Sequence, residues 1–325
     1  MKPILPSRIG YLVFNNLYML TNKIEGLIAA PFTAFDPNGE LNLDLIPAYY
    51  RSLKKNNVKG AFICGSTGEG VSLTFDEKVQ VLKAWAALTK ADPDFALMMF
   101  LGGTNVKECK QLAAISEQEG ADAISFTSPY YFKPANVQQL AKCCQEIAAA
   151  APNTAFYYYH IPVLTGGNYN MIDLLEAVDN VIPTFKGIKY THEDFMDFLS
   201  CLNHKKGKYD MLWGRDENML SSLVLGTKGA VGSTYNYAAP LYNDLIAAYE
   251  QGNFEEANRL QQKSIDMIRL LGKYGGIATG KAYMKLVDLD CGEFRLPIAN
   301  MSKENFELFK ADVAALGFDS FKSIN

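Results

Sequence analysis

The chain has 325 residues, 49% of them hydrophobic and 20% charged, with a formal net charge of −4. That length and composition suit one sizeable globular domain or two smaller ones, and the slight acidic excess argues against nucleic acid or an anionic membrane as a partner. Six scattered cysteines without a Cys-x-x-Cys, and only three histidines, give little ground for a metal site or a redox pair.

Residues 1–22 are read as an N-terminal extension without an assigned role. The apolar run Ile9-Gly10-Tyr11-Leu12-Val13-Phe14 is broken by Asn15-Asn16 and is too short to span a bilayer. No small-x-small cleavage site follows it, which disfavours a secretory signal. Scattered thiols fit a reducing, cytoplasmic setting.

From residue 23 onward, apolar strand-like runs alternate with amphipathic helical stretches. The strands are expected at 24–31, 58–64, 95–101, 121–127, 154–159, 184–189, 209–213 and 229–233. Between them, helices are expected at 43–55, 74–90, 105–119, 137–150, 171–178, 193–202 and 217–225. Alternating β and α units imply parallel strands with crossover helices, and this beat points to an α/β fold, a (β/α)8 TIM barrel, over residues 23–240. A doubly wound open sheet is the rival, but the first strand ends in Ala30-Pro31-Phe32 rather than in a glycine-rich turn. Residues 241–325 read as a C-terminal helical extension packed on the barrel, with helices at 243–251, 254–273, 279–288 and 303–316.

In such a barrel, chemistry gathers at the carboxyl ends of the strands. Lys189 ends an otherwise apolar strand; burial there would lower its pKa and free its amine as a nucleophile for a carbonyl. Tyr159 stands at the matching level one strand earlier. The second strand leads into Gly65-Ser66-Thr67-Gly68-Glu69-Gly70, whose hydroxyls and backbone N–H groups suit a carboxylate. Other strand ends carry Ser128-Pro129-Tyr130-Tyr131-Phe132, Lys189-Tyr190-Thr191, Gly214-Arg215-Asp216-Glu217 and Gly232-Ser233-Thr234-Tyr235-Asn236. Each segment has a plain structural reading, as surface aromatics, helix caps or solvated charge; their coincidence at strand ends is what favours a site. His160 reads as a hydrogen-bonded structural residue and the Met98-Met99 pair as core.

Gly65-Ser66-Thr67-Gly68-Glu69, Tyr159-His160-Ile161-Pro162 and Gly187-Ile188-Lys189 resemble the signatures of the superfamily that holds N-acetylneuraminate lyase and dihydrodipicolinate synthase. Its members are class I, pyruvate-dependent aldolases on a (β/α)8 barrel with a helical C-terminal extension. Within it, dihydrodipicolinate synthases carry an arginine shortly after the tyrosine motif. Here the stretch is Pro162-Val163-Leu164-Thr165-Gly166, which resembles the sialic acid lyases instead.

The resemblance implies reversible cleavage of N-acetylneuraminate to N-acetylmannosamine and pyruvate. It makes Lys189 the Schiff-base residue and Tyr159 the proton shuttle, with Tyr131 reaching a neighbouring subunit's site. It gives Ser66 and Thr67 to the substrate carboxylate, and Thr191, Gly214, Asp216, Glu217 and Ser233 to the sugar. No cofactor is implied, the partners are a sugar acid and pyruvate, and the assembly is a homotetramer. His160 stands where the superfamily often has asparagine. Three alternatives stay open: an aldolase for another 2-keto sugar acid such as 2-keto-3-deoxygluconate, a dihydrodipicolinate synthase, and a catalytically silent sugar-acid-binding relative.

Overall fold

The strands are almost wholly apolar because both of their faces are covered. In the computed structural model, which describes residues 23–325, they are β1 (Gly26–Ala29), β2 (Gly60–Ile63), β3 (Ala96–Gly102), β4 (Ala123–Thr127), β5 (Ala155–His160), β6 (Phe185–Tyr190), β7 (Asp210–Trp213) and β8 (Gly229–Gly232). All pair in parallel in chain order, and β1 closes on β8 to complete a barrel. Alternate residues point inward and outward. Ile28, Phe62, Met98, Phe100, Tyr157 and Leu212 fill the interior, while Leu27, Ile63, Met99, Phe126 and Tyr158 face the surrounding helices. The two adjacent methionines thus serve two different cores. The N-terminal extension expected over residues 1–22 lies outside the described residues.

The outer helices begin where the sequence supplies caps. Thr74 accepts from the Glu77 N–H at 3.2 Å while the Glu77 carboxylate accepts from the Thr74 N–H at 2.8 Å, a reciprocal capping box that starts Phe75–Thr89. Asn105, Asn136 and Asp194 cap Val106–Glu119, Val137–Ala148 and Phe195–Asn203 in the same manner through their side-chain oxygens.

One helix differs from the sequence expectation. Instead of starting at 243, it runs over Tyr235–Glu250 and so crosses the division drawn between residues 240 and 241. Pro240 lies inside it, which argues for a loop when read from sequence. The helix accommodates the proline through a kink at Ala238, whose φ of −140° and ψ of 29° are non-helical. Beyond it, Phe254–Lys273, Ala278–Leu286 and Lys303–Ala315 share one apolar core with the barrel's outer layer. Tyr237 stacks on Tyr283 with ring centroids 4.5 Å apart, and Ser323 donates its N–H to the Tyr237 carbonyl at 2.7 Å.

Candidate active site

The carboxyl ends of the strands open into a cleft of about 650 Å³ lined by Thr67, Tyr159, Lys189, Thr191, Gly214, Arg215, Asp216, Glu217 and Ser233, among others. Lys189 and Tyr159 are direct partners in the β5–β6 register, so both side chains project into the barrel at one level. The lysine is only 4% exposed. Its Nζ lies 3.9 Å from the Phe62 ring centroid and 4.1 Å from that of Tyr159. Aromatic faces favour the ammonium, yet burial outweighs them: it pulls the Lys189 pKa down to about 7, with the Asp216 carboxylate pulling the other way. A large fraction of the amine is therefore neutral near pH 7 and able to attack a carbonyl.

Tyr159 is held edge-on between Phe62 and Phe100, at 5.6 and 5.7 Å between centroids, and its carbonyl accepts from Thr127 Oγ1 at 2.8 Å. Burial raises the phenol's pKa; the nearby Ser66 and Thr191 hydroxyls oppose that rise and the Asp216 carboxylate adds to it. Tyr159 thus stands protonated, suited to relaying a proton rather than keeping a negative charge. Among the described residues, Thr191 Oγ1 is buried without a hydrogen bond of normal geometry.

Asp216 is buried, and its Oδ2 accepts from the Thr234 N–H at 3.1 Å and the Thr234 hydroxyl at 2.6 Å. Among the described residues its Oδ1 makes no hydrogen bond of normal geometry. Burial raises the carboxyl's pKa to about 6, although the Tyr235 hydroxyl is near enough to hold it down in part. Close approach demands glycine on either side: a Cβ on Gly232 would lie 1.9 Å from Asp216 Oδ1, and one on Gly214 would lie 1.9 Å from Thr191 Oγ1. Glu217 is partly exposed and ion-pairs with Arg215 Nε at 3.2 Å. Arg215 also pairs through Nη2 with Glu193 at 2.5 Å, so two carboxylates already offset its charge. Hydroxyls, carboxylates and one near-neutral amine make a set that fits a polyhydroxylated carbonyl compound.

Most of the residues singled out in the sequence meet in this cleft. Ser66 is half-buried beside the Tyr159 phenol. Tyr131 does not line its own chain's cleft; it is 77% exposed and packs against Phe132. Tyr235 and Asn236, read as part of a strand-end segment, are buried in the first turn of Tyr235–Glu250. There Asn236 donates to the carbonyls of Ala30 at 2.7 Å and Ser233 at 2.8 Å, which shapes the strand ends from behind. His160 is buried on the outward face of β5 against Tyr158, Tyr190 and His192. Burial drops its pKa to about 3, and among the described residues its Nδ1 makes no hydrogen bond of normal geometry. Sequence reasoning missed Arg215 as a wall of the cleft, and also Ile268 and Leu271, which reach it from the helix Phe254–Lys273.

Comparison with known proteins agrees with this fold. Residues 23–316 match the model of the dihydrodipicolinate synthetase family. The chain belongs to that family. It is 38% identical over 307 residues to the N-acetylneuraminate lyase of Rattus norvegicus, covering 93% of this chain and 95% of the relative. Among solved structures, the N-acetylneuraminate lyase of Proteus mirabilis superposes with a TM-score of 0.88 at 36% identity, covering 91% of this chain and all of the other. The sialic acid aldolase of Aliivibrio salmonicida matches with a TM-score of 0.88 at 35% identity, covering 91% of this chain and 98% of the other. The named relatives support a lyase on this closed barrel.

The proximity of Lys189 and Asp216 has a titratable consequence. Imine formation should accelerate as pH rises through about 7, where Lys189 loses its proton. Asp216→Asn removes an anion that favours the ammonium, so the acid limb should move to lower pH. The rate of imine formation with pyruvate, followed by cyanoborohydride trapping against pH, measures this. An unmoved or alkaline-shifted limb contradicts the coupling.

Proposed function

We propose that the protein is a class I aldolase that reversibly cleaves N-acetylneuraminate to N-acetylmannosamine and pyruvate. The observation that carries this reading is a buried lysine, its pKa lowered to about 7, beside a protonated tyrosine at the floor of a hydroxyl- and carboxylate-lined cleft. The relatives' shared name supports the choice of sugar.

In the open-chain substrate, Ser66 and Thr67 hold the carboxylate and turn the C2 ketone toward Lys189. The amine adds to C2, water leaves, and a protonated imine forms as an electron sink, so no cofactor is required. Tyr159 takes the C4 hydroxyl proton and passes its own toward the substrate carboxylate. The C3–C4 electrons move to the imine, N-acetylmannosamine departs as the aldehyde, and an enamine remains on Lys189. Protonation at C3 and hydrolysis release pyruvate. Thr191, Gly214, Asp216, Glu217 and Ser233 receive the sugar's hydroxyl chain, the carboxylates as acceptors.

The same reading makes the enzyme a cytoplasmic homotetramer of carbohydrate metabolism. Six free cysteines suit a reducing compartment. Tyr131, Phe132, Val163 and Leu164 expose apolar surface beyond β4 and β5, which supports association there and delivery of Tyr131 to a neighbour's site. The short helix Pro162–Thr165 carries no arginine to hold an aldehyde's carboxylate, which weighs against dihydrodipicolinate synthesis.

Pyruvate release from N-acetylneuraminate and 2-keto-3-deoxygluconate, and condensation of pyruvate with aspartate semialdehyde, separate the alternatives. The highest kcat/KM is expected with N-acetylneuraminate. Preference for either other substrate overturns the sugar assignment, and turnover of none makes the chain a silent relative.

A further inference from the structure

We propose that Lys281, on the helix Ala278–Leu286 of the C-terminal extension, is a positioning residue that fixes the Ser66–Thr67 loop through its buried ion pair with Glu69. This rests on the reading that those two residues bind the keto-acid carboxylate. Neither Lys281 nor Glu69 lines the cleft, so any effect on the reaction must pass through the loop.

The pair is unusually enclosed. Lys281 is 2% exposed and Glu69 4%. Lys281 Nζ donates to Glu69 Oε1 at 2.8 Å and to the Glu293 carbonyl at 2.9 Å, and lies 4.5 Å from the Phe35 and 4.6 Å from the Phe294 ring centroids. The other carboxylate oxygen accepts from the Arg295 N–H at 2.9 Å. Both oxygens of Glu69 are therefore held by groups more than 200 residues downstream, at separations of 212 and 226. The Arg295 side chain extends the clamp, donating to Glu77 at 2.6 and 2.9 Å and to the Gly39 carbonyl at 2.6 and 2.9 Å.

Glu69 is where such a clamp acts on the loop. Its φ of +55° lies in the left-handed region, which a residue with a Cβ occupies only when its surroundings hold it there. Its N–H donates to the Ser66 carbonyl at 3.2 Å, and its carbonyl accepts from the Ser72 N–H at 2.7 Å. That residue thus closes the turn that presents Ser66 and Thr67. A buried carboxylate deprived of its cation must take a proton or move, and either change releases the turn. The helical extension thereby becomes part of the carboxylate site's scaffold rather than an added layer.

The test measures the pyruvate concentration that half-saturates borohydride trapping on Lys189, alongside melting temperature, for Lys281→Met, Glu69→Gln, the double variant and Ser66→Ala. Lys281→Met is expected to raise half-saturation by about 10-fold or more, since displacements near 1 Å suffice for such losses. Glu69→Gln should raise it less, and the double variant should lie below Lys281→Met, because removing both charges leaves none uncompensated. Trapping at saturating pyruvate should remain. If Lys281→Met does not fold, Glu69→Gln decides. Lower melting temperatures with wild-type half-saturation overturn the positioning role while Ser66→Ala still weakens pyruvate. Unchanged half-saturation in Ser66→Ala instead overturns the carboxylate assignment itself.

Discussion

Lys189→Met is expected to abolish pyruvate release from N-acetylneuraminate, by more than about 10⁴-fold, because among the described residues no other lysine lines the cleft to form the imine. The variant should nonetheless fold, since a thioether of similar length fits between the rings of Phe62 and Tyr159 that now flank the amine. It should also be more stable. Holding a lysine at about 7 against an ordinary value of 10.5 costs about 3–5 kcal/mol at neutral pH. The sign follows from proton binding: between those two values the unfolded chain carries the proton more often than the folded one. The advantage of methionine is therefore full below pH 7 and shrinks as pH approaches 10.5. At pH 7 a rise in melting temperature of at least about 4 °C is expected. Loss of turnover with a lowered melting temperature would indicate a collapsed site rather than a missing nucleophile.

Tyr159→Phe should separate proton transfer from imine formation. The ring is retained, and with it the edge-on packing on Phe62 and Phe100, so the barrel interior has no reason to rearrange. Only the hydroxyl that relays the C4 proton is lost. General acid–base assistance of this kind is worth about 10²–10⁴-fold, and kcat for cleavage should fall by that amount. Borohydride trapping of pyruvate on Lys189 should persist, because adding the amine to C2 does not need the C4 proton. Equal loss of trapping and turnover would make Tyr159 a binding residue instead of a shuttle.

How legible these roles were from the chain depends on where each signal resides. Lys189 and Tyr159 stand out because a charge and a phenol at the ends of apolar strands have few structural uses, and strand alternation alone sends both inward. The barrel was legible for a similar reason: eight buried strands spaced by capped helices leave few other closures. The roles of Tyr235 and Asn236 were not, because a proline five residues beyond Tyr235 disguises the start of a helix that only the kink at Ala238 permits. Ile268 and Leu271 carry no local mark of a site; a helix that begins beyond the barrel returns to the cleft mouth only in three dimensions. Glu69 belonged to a recognised motif, but its partner Lys281 sits 212 residues away on a helix whose sequence reads as ordinary packing. Tyr131 remains outside its own cleft, and its exposed ring acquires a function only if another subunit meets it.

The Schiff base on Lys189 is the central claim, and peptide mapping after borohydride reduction tests it most directly. Incubation of the wild-type protein with pyruvate and borohydride should place the mass of reduced pyruvate on the peptide containing Lys189, and leave it absent when either reagent is omitted. No adduct, or an adduct confined to another lysine, would contradict it.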